Sequence, residues 1–242
     1  MSHLEELRKR LISCAVGVGV CFAATYAFSD KLFMVLAQPL KSHLPEGDRL
    51  IFTNLPEMFF IYIKTALVSA LLLSAPFLFY QMWMFVAPGL YRNERRYVFP
   101  FVFFSTILFV GGALFGYFIV FPFGFRFFLG FANEYIQALP SVKQYFSLSI
   151  KLLLGFGLIF ELPIVAFFLG RMGVISAQLM RKQRKYAILI LFAVSAILTP
   201  PDVITQLMMA GPLWVLFEVS VIIVQVAGKE KKRSENGESG ET

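Results

Sequence analysis

Long apolar runs with almost no charges limit how this chain can fold more than any other feature does. The run LLLGFGLIFELPIVAFFLG, residues 152–170, contains a single charged residue, Glu161. A helix needs about 20 consecutive apolar residues to cross the hydrocarbon core of a bilayer. Hydrophobic residues make up 58% of the chain's 242 residues, whereas soluble domains contain about 45–50%. The sequence therefore predicts an all-α protein that crosses a membrane several times.

Six transmembrane helices are predicted from these runs. Their approximate ranges are 11–29, 58–83, 97–121, 148–170, 186–199 and 203–227. The first run is too long for the core of a signal peptide and ends without a cleavage site, so we expect a retained helix. The fifth has 14 residues, about 21 Å of helix, which is less than a hydrocarbon core of about 30 Å. The last two helices should therefore form a short hairpin that thins the bilayer or does not fully cross it.

The segments between and after the spans complete the predicted organisation. Pro200 and Pro201 are expected to form the turn of the hairpin, and Asp202 suits the N-cap of the last helix. Two long connections, 30–57 and 122–147, are rich in apolar residues and are expected to pack as caps on the outer face. The chain thus divides into a membrane domain, 1–228, and a charged tail, 229–242, that is expected to be disordered.

The distribution of lysine and arginine predicts how the chain is oriented. With the N-terminus inside, the inner segments hold fifteen basic residues and the outer loops hold five. Cytoplasmic loops of membrane proteins carry such an excess. Both termini are therefore predicted to be cytoplasmic, and the net charge of +7 needs no nucleic-acid partner to explain it.

Three classes of site are disfavoured by the residues present: a disulfide, a metal or cofactor site, and a protease active site. Cys14 and Cys21 lie seven residues apart on the first span, about 10.5 Å of helical rise, which is too far for a disulfide. Nothing in the sequence resembles a metal cluster, and no cofactor is expected. An intramembrane protease would need paired aspartates, a serine with a base, or a zinc motif, and neither HExxH nor GxSxG occurs.

Five short motifs resemble the TatC family, the core receptor subunit of the twin-arginine protein translocase. They are HLEELRKRL at 3–11, SAPFLFYQMW at 74–83, YRNERR at 91–96, FELP at 160–163 and TPPD at 199–202. The resemblance covers the chain from His3 to the end of the sixth span. It implies a curved wall of six helices, the last two short, with a concave groove facing the membrane.

The same resemblance implies a receptor in the bacterial cytoplasmic membrane and not an enzyme. Family members bind signal peptides that carry two consecutive arginines. With TatA- and TatB-type single-span partners they export folded proteins, driven by the proton-motive force. Self-association of the chain is expected as well.

In HLEELRKRL, apolar residues recur at i, i+3 and i+7 and predict an amphipathic helix along the inner membrane surface. Glu6 precedes Arg10 by four residues, so the pattern alone favours a local ion pair. The resemblance instead implies that Glu6 contacts the signal peptide and that Arg8 orients it.

In YRNERR, Glu94 is the only acid among three arginines. The pattern alone fits a topology loop or the N-cap of the third span. A carboxylate can also receive a guanidinium in a charge-assisted pair, and the resemblance assigns Glu94 to signal-peptide contact and Arg95 to holding the loop. Phe85 adjoins this loop and is either an interfacial anchor or a further contact for the signal peptide.

Energies limit what these acids do. An exposed ion pair contributes about 0–1 kcal/mol, whereas micromolar affinity requires about 8 kcal/mol. The acids would therefore identify the arginine pair, and the apolar segment of the signal peptide, bound in the membrane-facing groove, would supply the affinity. A lysine ammonium cannot reproduce the guanidinium fork.

Glu161 is predicted to lie near the bilayer midplane, where a charge costs about 2.5–3.5 kcal/mol. Its own helix offers no polar side chain at ±3 or ±4. Candidate partners elsewhere are the side chains of Lys64, Gln81, Tyr117, Thr205 and Gln206, or a water in the lipid phase. Three interpretations are open: a protonated structural carboxyl, a groove residue that touches the signal peptide or a partner helix, and a proton relay. The resemblance favours the groove, with Gln81 and Gln206 as further polar groove residues.

A proton-coupled transporter of a small solute is the alternative function. It would use Glu161 as the proton carrier, with Glu218 and Lys64 as its partners. The sequence contains no internal repeat, which disfavours the inverted-repeat transporter folds.

Overall fold

The computed structural model describes residues 3–42, 50–86, 98–132, 139–200 and 202–238, without the side chains of 3, 86, 98 and 227–238. Apart from one isolated bridge between Ile51 and Ser141, the regular structure in these ranges is helical. The helices are α1 His3–Ala27, α2 Ser29–Lys41, α3 Glu57–Val86, α4 Val98–Phe115, a π-helical turn Gly116–Val120, α5 Phe121–Leu129, α6 Val142–Ile159, α7 Leu162–Arg171, α8 Ala177–Lys182, α9 Arg184–Leu198 and α10 Val203–Glu238.

Five stretches of the described chain are long and apolar enough to cross a membrane. They are Leu4–Ala27, Glu57–Phe85, Phe99–Leu129, Val142–Arg171 and Val203–Val226. They match five of the six predicted spans and confirm an all-α protein with several membrane-spanning helices. The remaining predicted span is α9, a helix of 15 residues, about 22 Å long. Its shortness is as predicted, and a count of six spans stays a prediction.

The helices differ from the sequence prediction in several places. Segment 3–11 is not a separate surface helix but the first turns of α1, because no helix breaker separates it from the apolar residues that follow. The third span does not end at 121, since a π-helical turn joins α4 to α5. The two outer connections also contain helix, namely α2 and α5.

The charged tail differs from its prediction too. Helix α10 continues through 229–238 to Glu238, in the segment that was expected to be disordered. Adding a residue to an existing helix costs far less than starting a new one. Lysine, arginine and glutamate, which dominate 229–233, are also good helix formers.

The chain forms two compact units, 1–157 and 158–242. In the first, α1 packs along α3, and α3 packs against α4. A Cβ at Gly17 would lie 2.6 Å from the Phe77 ring of α3, so this close approach requires a glycine. The Thr25 hydroxyl of α1 donates to the carbonyl of Ala66 at 2.8 Å. Close packing and a side-chain hydrogen bond therefore fix α1 on α3.

A proline inside α2 leaves a backbone carbonyl that other parts of the chain can bind. Pro39 lies inside α2 and has no N–H to donate to the carbonyl four residues earlier, that of Val35. The Tyr117 hydroxyl donates to that carbonyl at 2.7 Å. The Tyr145 hydroxyl of α6 donates to the next carbonyl, that of Leu36, at 2.5 Å. Two tyrosines from distant parts of the chain thus fasten α2.

Glu57, at the start of α3, joins two loops of the first unit. Its side chain is buried, with 6% exposure. Oε2 accepts from the backbone N–H groups of Thr53 and Asn54, at 3.2 and 3.4 Å. Oε1 accepts from the Lys143 N–H at 2.8 Å and from the Ser141 hydroxyl at 3.4 Å. One carboxylate therefore fixes the chain before α3 to the first turn of α6 and the residue before it.

In the second unit, α7 and α9 pack against α10. A Cβ at Gly170 of α7 would lie 3.0 Å from Val224 of α10, so a glycine allows these helices to lie close. The α9–α10 hairpin is fastened by the Ser195 hydroxyl, which donates to the Gln206 carbonyl at 2.8 Å. The Gln206 side-chain amide donates in turn to the Phe192 carbonyl at 3.0 Å.

The Val35 carbonyl yields a prediction about stability. Replacing Tyr117 by Phe removes its donor and should lower the free energy of unfolding by about 1 kcal/mol, or about 2–4 °C in Tm for a chain of this size. In a Pro39→Ala background the loss should be smaller, because the new N–H of residue 39 serves the same carbonyl. Thermal unfolding in detergent measures both, with the exposed Tyr26→Phe as the control. Equal losses in the two backgrounds would contradict the explanation.

The Glu57 contacts yield a second prediction. Hydrogen bonds to a charged group are worth about 1.5–3 kcal/mol each, so Glu57→Ala should speed backbone amide exchange in 50–54 and 141–143 by about tenfold or more. Glu57→Gln, which keeps one acceptor oxygen, should have a smaller effect. Hydrogen–deuterium exchange followed by mass spectrometry measures these segments. Glu5→Gln, a change at an exposed acid of α1, is the control, and unchanged exchange in Glu57→Ala would refute the role.

Candidate functional site

Glu6, the acid assigned to signal-peptide contact, is part of a three-residue cluster between α1 and α3. The Arg10 guanidinium donates to Glu6 Oε1 from Nε at 3.0 Å and from Nη2 at 2.6 Å. Its Nη1 donates to Gln81 Oε1 of α3 at 3.2 Å. The side chains of Arg10 and Glu6 are 20% and 30% exposed. The acid is thus held in place and remains accessible to solvent.

This cluster confirms one prediction from the sequence, and it gives two other residues different surroundings from those predicted. The i, i+4 pair of Glu6 and Arg10 forms as the spacing predicts. Among the described residues, the hydrogen-bond donor to Glu6 is Arg10, while Arg8 is exposed. The sequence predicts that Gln81 lines an intramembrane groove; in the structure its side-chain oxygen accepts from Arg10, beside the candidate recognition acid.

The remaining candidate contacts are Phe85, Glu94 and Arg95. Phe85 is half-buried near the end of α3, one turn after Gln81. Glu94 and Arg95 lie outside the described residues, and their proposed roles stay predictions. The structure therefore describes the surroundings of one of the two acids, Glu6.

Glu161 lies in the turn between α6 and α7, and not in the middle of a bent helix. It is the N-cap residue of α7, and its side chain is buried, with 8% exposure. Its backbone carbonyl accepts from the N–H groups of Ile164 and Val165, at 3.1 and 3.0 Å. Pro163 follows as the second residue of α7. Pro163 has no N–H to donate to the Ile159 carbonyl, and its ring crowds that turn. Here the helix is interrupted, since α6 ends at Ile159 and α7 begins at Leu162, where the sequence predicts only a bend.

Four of the five candidate partners of Glu161 are engaged elsewhere. Tyr117 donates to Val35, as described above, and Gln81 accepts from Arg10. Gln206 donates to the Phe192 carbonyl. The Thr205 hydroxyl donates to the Asp202 carboxylate. Gln206 therefore acts as a tie within the α9–α10 hairpin, which is a structural role.

The turn of this hairpin forms as predicted at the residues described. Helix α9 ends at Leu198, with Thr199 as its C-cap. Asp202 precedes the first residue of α10, and its Oδ1 accepts from the Thr205 N–H at 2.7 Å. This is the N-cap geometry that satisfies an otherwise unpaired helix donor. Pro200 precedes this cap, and Pro201 lies outside the described residues.

Glu218, which the transporter alternative pairs with Glu161, has its own cation. Arg184, at the start of α9, donates from Nη2 to Glu218 Oε2 at 2.6 Å. Arg181 of α8 donates to Gln225, seven residues further along α10. Lys64, the other residue of that alternative, is exposed on α3. Two polar side chains of α10, Glu218 and Gln225, therefore bind basic residues of α8 and of the start of α9, which disfavours the transporter interpretation.

For two residues that make important polar contacts, Arg10 and Glu57, the sequence predicts no contact with a distant part of the chain. Arg10 appeared only as the i+4 partner of Glu6, and its bond to a residue 71 positions away leaves no local signal. Glu57 could have been found, because Asn54-Leu55-Pro56-Glu57 has the spacing of a capping box, an N-cap residue followed three positions later by glutamate. Cys14 and Cys21 are free thiols, as their spacing predicts.

Comparisons with known proteins agree with the motifs. The family model described as Sec-independent protein translocase protein (TatC) matches residues 2–212. A TatC protein of Desulforapulum autotrophicum is 52% identical over 233 residues, which cover 96% of this chain and 86% of the relative. A TatC protein of Escherichia coli K12 is 39% identical over 236 residues, which cover 97% of this chain and 92% of the relative.

The fold agrees as well. A crystal structure of the twin arginine translocase receptor TatC matches with a TM-score of 0.84 at 39% identity, covering 93% of this chain and 99% of that one. A second crystal structure of that receptor, in DDM, matches with a TM-score of 0.85 at 38% identity, covering 93% and 100%. The chain therefore belongs to the TatC family of Sec-independent protein translocase proteins.

Proposed function

We propose that this chain is the receptor subunit of a twin-arginine protein translocase and binds the twin-arginine signal peptides of folded proteins at its cytoplasmic face. The observation that carries the proposal is the Glu6 carboxylate, which is partly exposed and held by Arg10 and Gln81. A fixed, accessible carboxylate is the group that recognises a guanidinium with directional hydrogen bonds. Membership of the TatC family supports the same function.

Recognition of two arginines requires a second acid. Glu94 is proposed for this role on the strength of its motif, with Arg8, Phe85 and Arg95 as neighbouring contacts or supports. Because each exposed pair contributes about 0–1 kcal/mol, the two acids select the peptide and do not supply most of its affinity. Arginine is preferred over lysine because its planar fork can make two parallel hydrogen bonds to one carboxylate.

The apolar segment of the signal peptide is proposed to bind a membrane-facing groove that includes Glu161. Charged residues at membrane depth are rare and mark functional sites. The burial of Glu161 in the second unit and the helix break beside it support a specialised position. Its proposed role is contact with the apolar segment or with a partner helix.

The cellular setting completes the proposal. The chain spans the bacterial cytoplasmic membrane several times, with both termini in the cytoplasm, as the excess of basic residues in the inner segments indicates. It works with TatA- and TatB-type single-span proteins and with further copies of itself, and the proton-motive force drives export.

The acid assignment is tested by crosslinking a twin-arginine peptide and its Lys-Lys variant to the purified protein. The wild-type chain should crosslink the twin-arginine peptide more strongly. Glu6→Ala combined with Glu94→Ala should erase the difference, because no carboxylate remains to distinguish a fork from a point charge. Glu5→Ala, a change at the exposed neighbouring acid, should preserve it. Discrimination that survives the double substitution would reject the assignment.

The groove assignment makes a separate prediction. Glu161→Ala should leave the preference for arginine over lysine intact, because the residue does not contact the arginine pair. It should reduce crosslinks from the apolar segment of the peptide, or reduce co-purification with the single-span partners. Position-specific photocrosslinkers along the peptide separate the two regions. Loss of the arginine preference with intact deep crosslinks would show that Glu161 is misplaced.

A further inference from the structure

The Glu6 site already contains a guanidinium. Arg10 directs Nε and Nη2 to the same carboxylate oxygen, at 3.0 and 2.6 Å. This is the chemical group that the proposed ligand presents, in the same kind of charge-assisted contact. An arriving arginine therefore meets a carboxylate whose Oε1 is occupied.

Gln81 fixes the position of that guanidinium. Its Oε1 accepts from Arg10 Nη1 at 3.2 Å while the other two nitrogens face Glu6. A guanidinium is rigid and planar, so holding one nitrogen restricts where the other two point. Gln81, on α3, thus orients Arg10 toward an acid on α1 without adding charge.

We propose that Arg10 is an internal competitor for the Glu6 carboxylate and that Gln81 positions it, so that the pair sets the affinity of the site. The inference rests on the proposed function. Any cation that binds Glu6 must first displace Arg10, which occupies Oε1 and neutralises the carboxylate. Its apparent dissociation constant is therefore the intrinsic one divided by the fraction of time that the acid is free of Arg10. The contact is autoinhibitory.

Competition of this kind has a distinctive signature. Displacing Arg10 costs the same free energy whichever ligand arrives. Removing Arg10 should therefore lower the dissociation constant of every ligand of Glu6 by the same factor. The ratio of affinities for arginine and lysine peptides should stay the same. A role in positioning Glu6 would weaken binding instead. A purely electrostatic role would not respond to Arg10→Lys, which keeps the charge.

The test measures dissociation constants of two fluorescent peptides for the full chain in nanodiscs. One is a twin-arginine signal peptide with its apolar segment, and the other is its Lys-Lys counterpart. Arg10→Lys removes the fork, and Gln81→Leu removes the orienting acceptor without changing charge. Each substitution should lower the dissociation constants of both peptides roughly threefold, which corresponds to the free energy of one exposed ion pair. The double variant should gain less than the product of the single effects, because both act on one contact.

Matched controls and contrary outcomes keep the two proposals separable. Arg126→Lys and Gln144→Leu make the same chemical changes at exposed positions and should leave both constants unchanged. Only variants whose thermal unfolding resembles that of the wild type are compared. If one of the two variants is unstable, the dissociation constants of the other still test the proposal. If the wild type prefers the twin-arginine peptide but both variants bind it equally or more weakly, the competitor role is wrong. If the wild type shows no preference, the receptor proposal itself fails.

Discussion

The absence of water in the hydrocarbon core governs this structure, because backbone groups there must find partners within the protein. Prolines lie inside α2, α3 and α10, and each removes a backbone donor. Helix α2 is not one of the five spans, but there too a carbonyl left without its helical donor finds a partner, since Val35 accepts from the Tyr117 hydroxyl. The missing backbone bond at Pro39 is thus replaced by a tertiary contact. A hydroxyl also links the two helices of the α9–α10 hairpin, where Ser195 donates to the Gln206 carbonyl.

The same constraint explains what the sequence predicts well. Hydropathy locates the long helices, because only continuous helix satisfies the backbone in lipid. The shortness of α9 and the cap at Asp202 follow from local rules and are found in the structure. The pair of Glu6 and Arg10 follows from its i, i+4 spacing. All of these depend on residues close together in the chain.

What the sequence predicts poorly depends on residues far apart. Four of the five side chains that the sequence offers as partners of Glu161 bind other groups; Tyr117, for example, donates to the Val35 carbonyl and Gln206 to the Phe192 carbonyl. The contact of Arg10 with Gln81 links positions 71 residues apart. The sequence predicts an apolar-rich connection that packs as a cap over 30–57, and the structure forms helix α2 within it. This helix buries Leu36, Ala37 and Leu40, which is the pattern of an amphipathic helix packed on its neighbours.

The carboxylates differ in what holds them, and this difference bears on function. Glu57 and Asp202 accept from backbone N–H groups, which cannot leave without unfolding part of the chain, so these two acids are structural. Glu6 and Glu218 accept instead from arginine side chains, and a side chain can rotate away while the helices stay in place. An acid that recognises a cationic ligand must be of the second kind, because its resident partner has to be exchangeable. Glu6 meets this condition with a guanidinium already in contact, so in the proposed recognition one guanidinium would replace another.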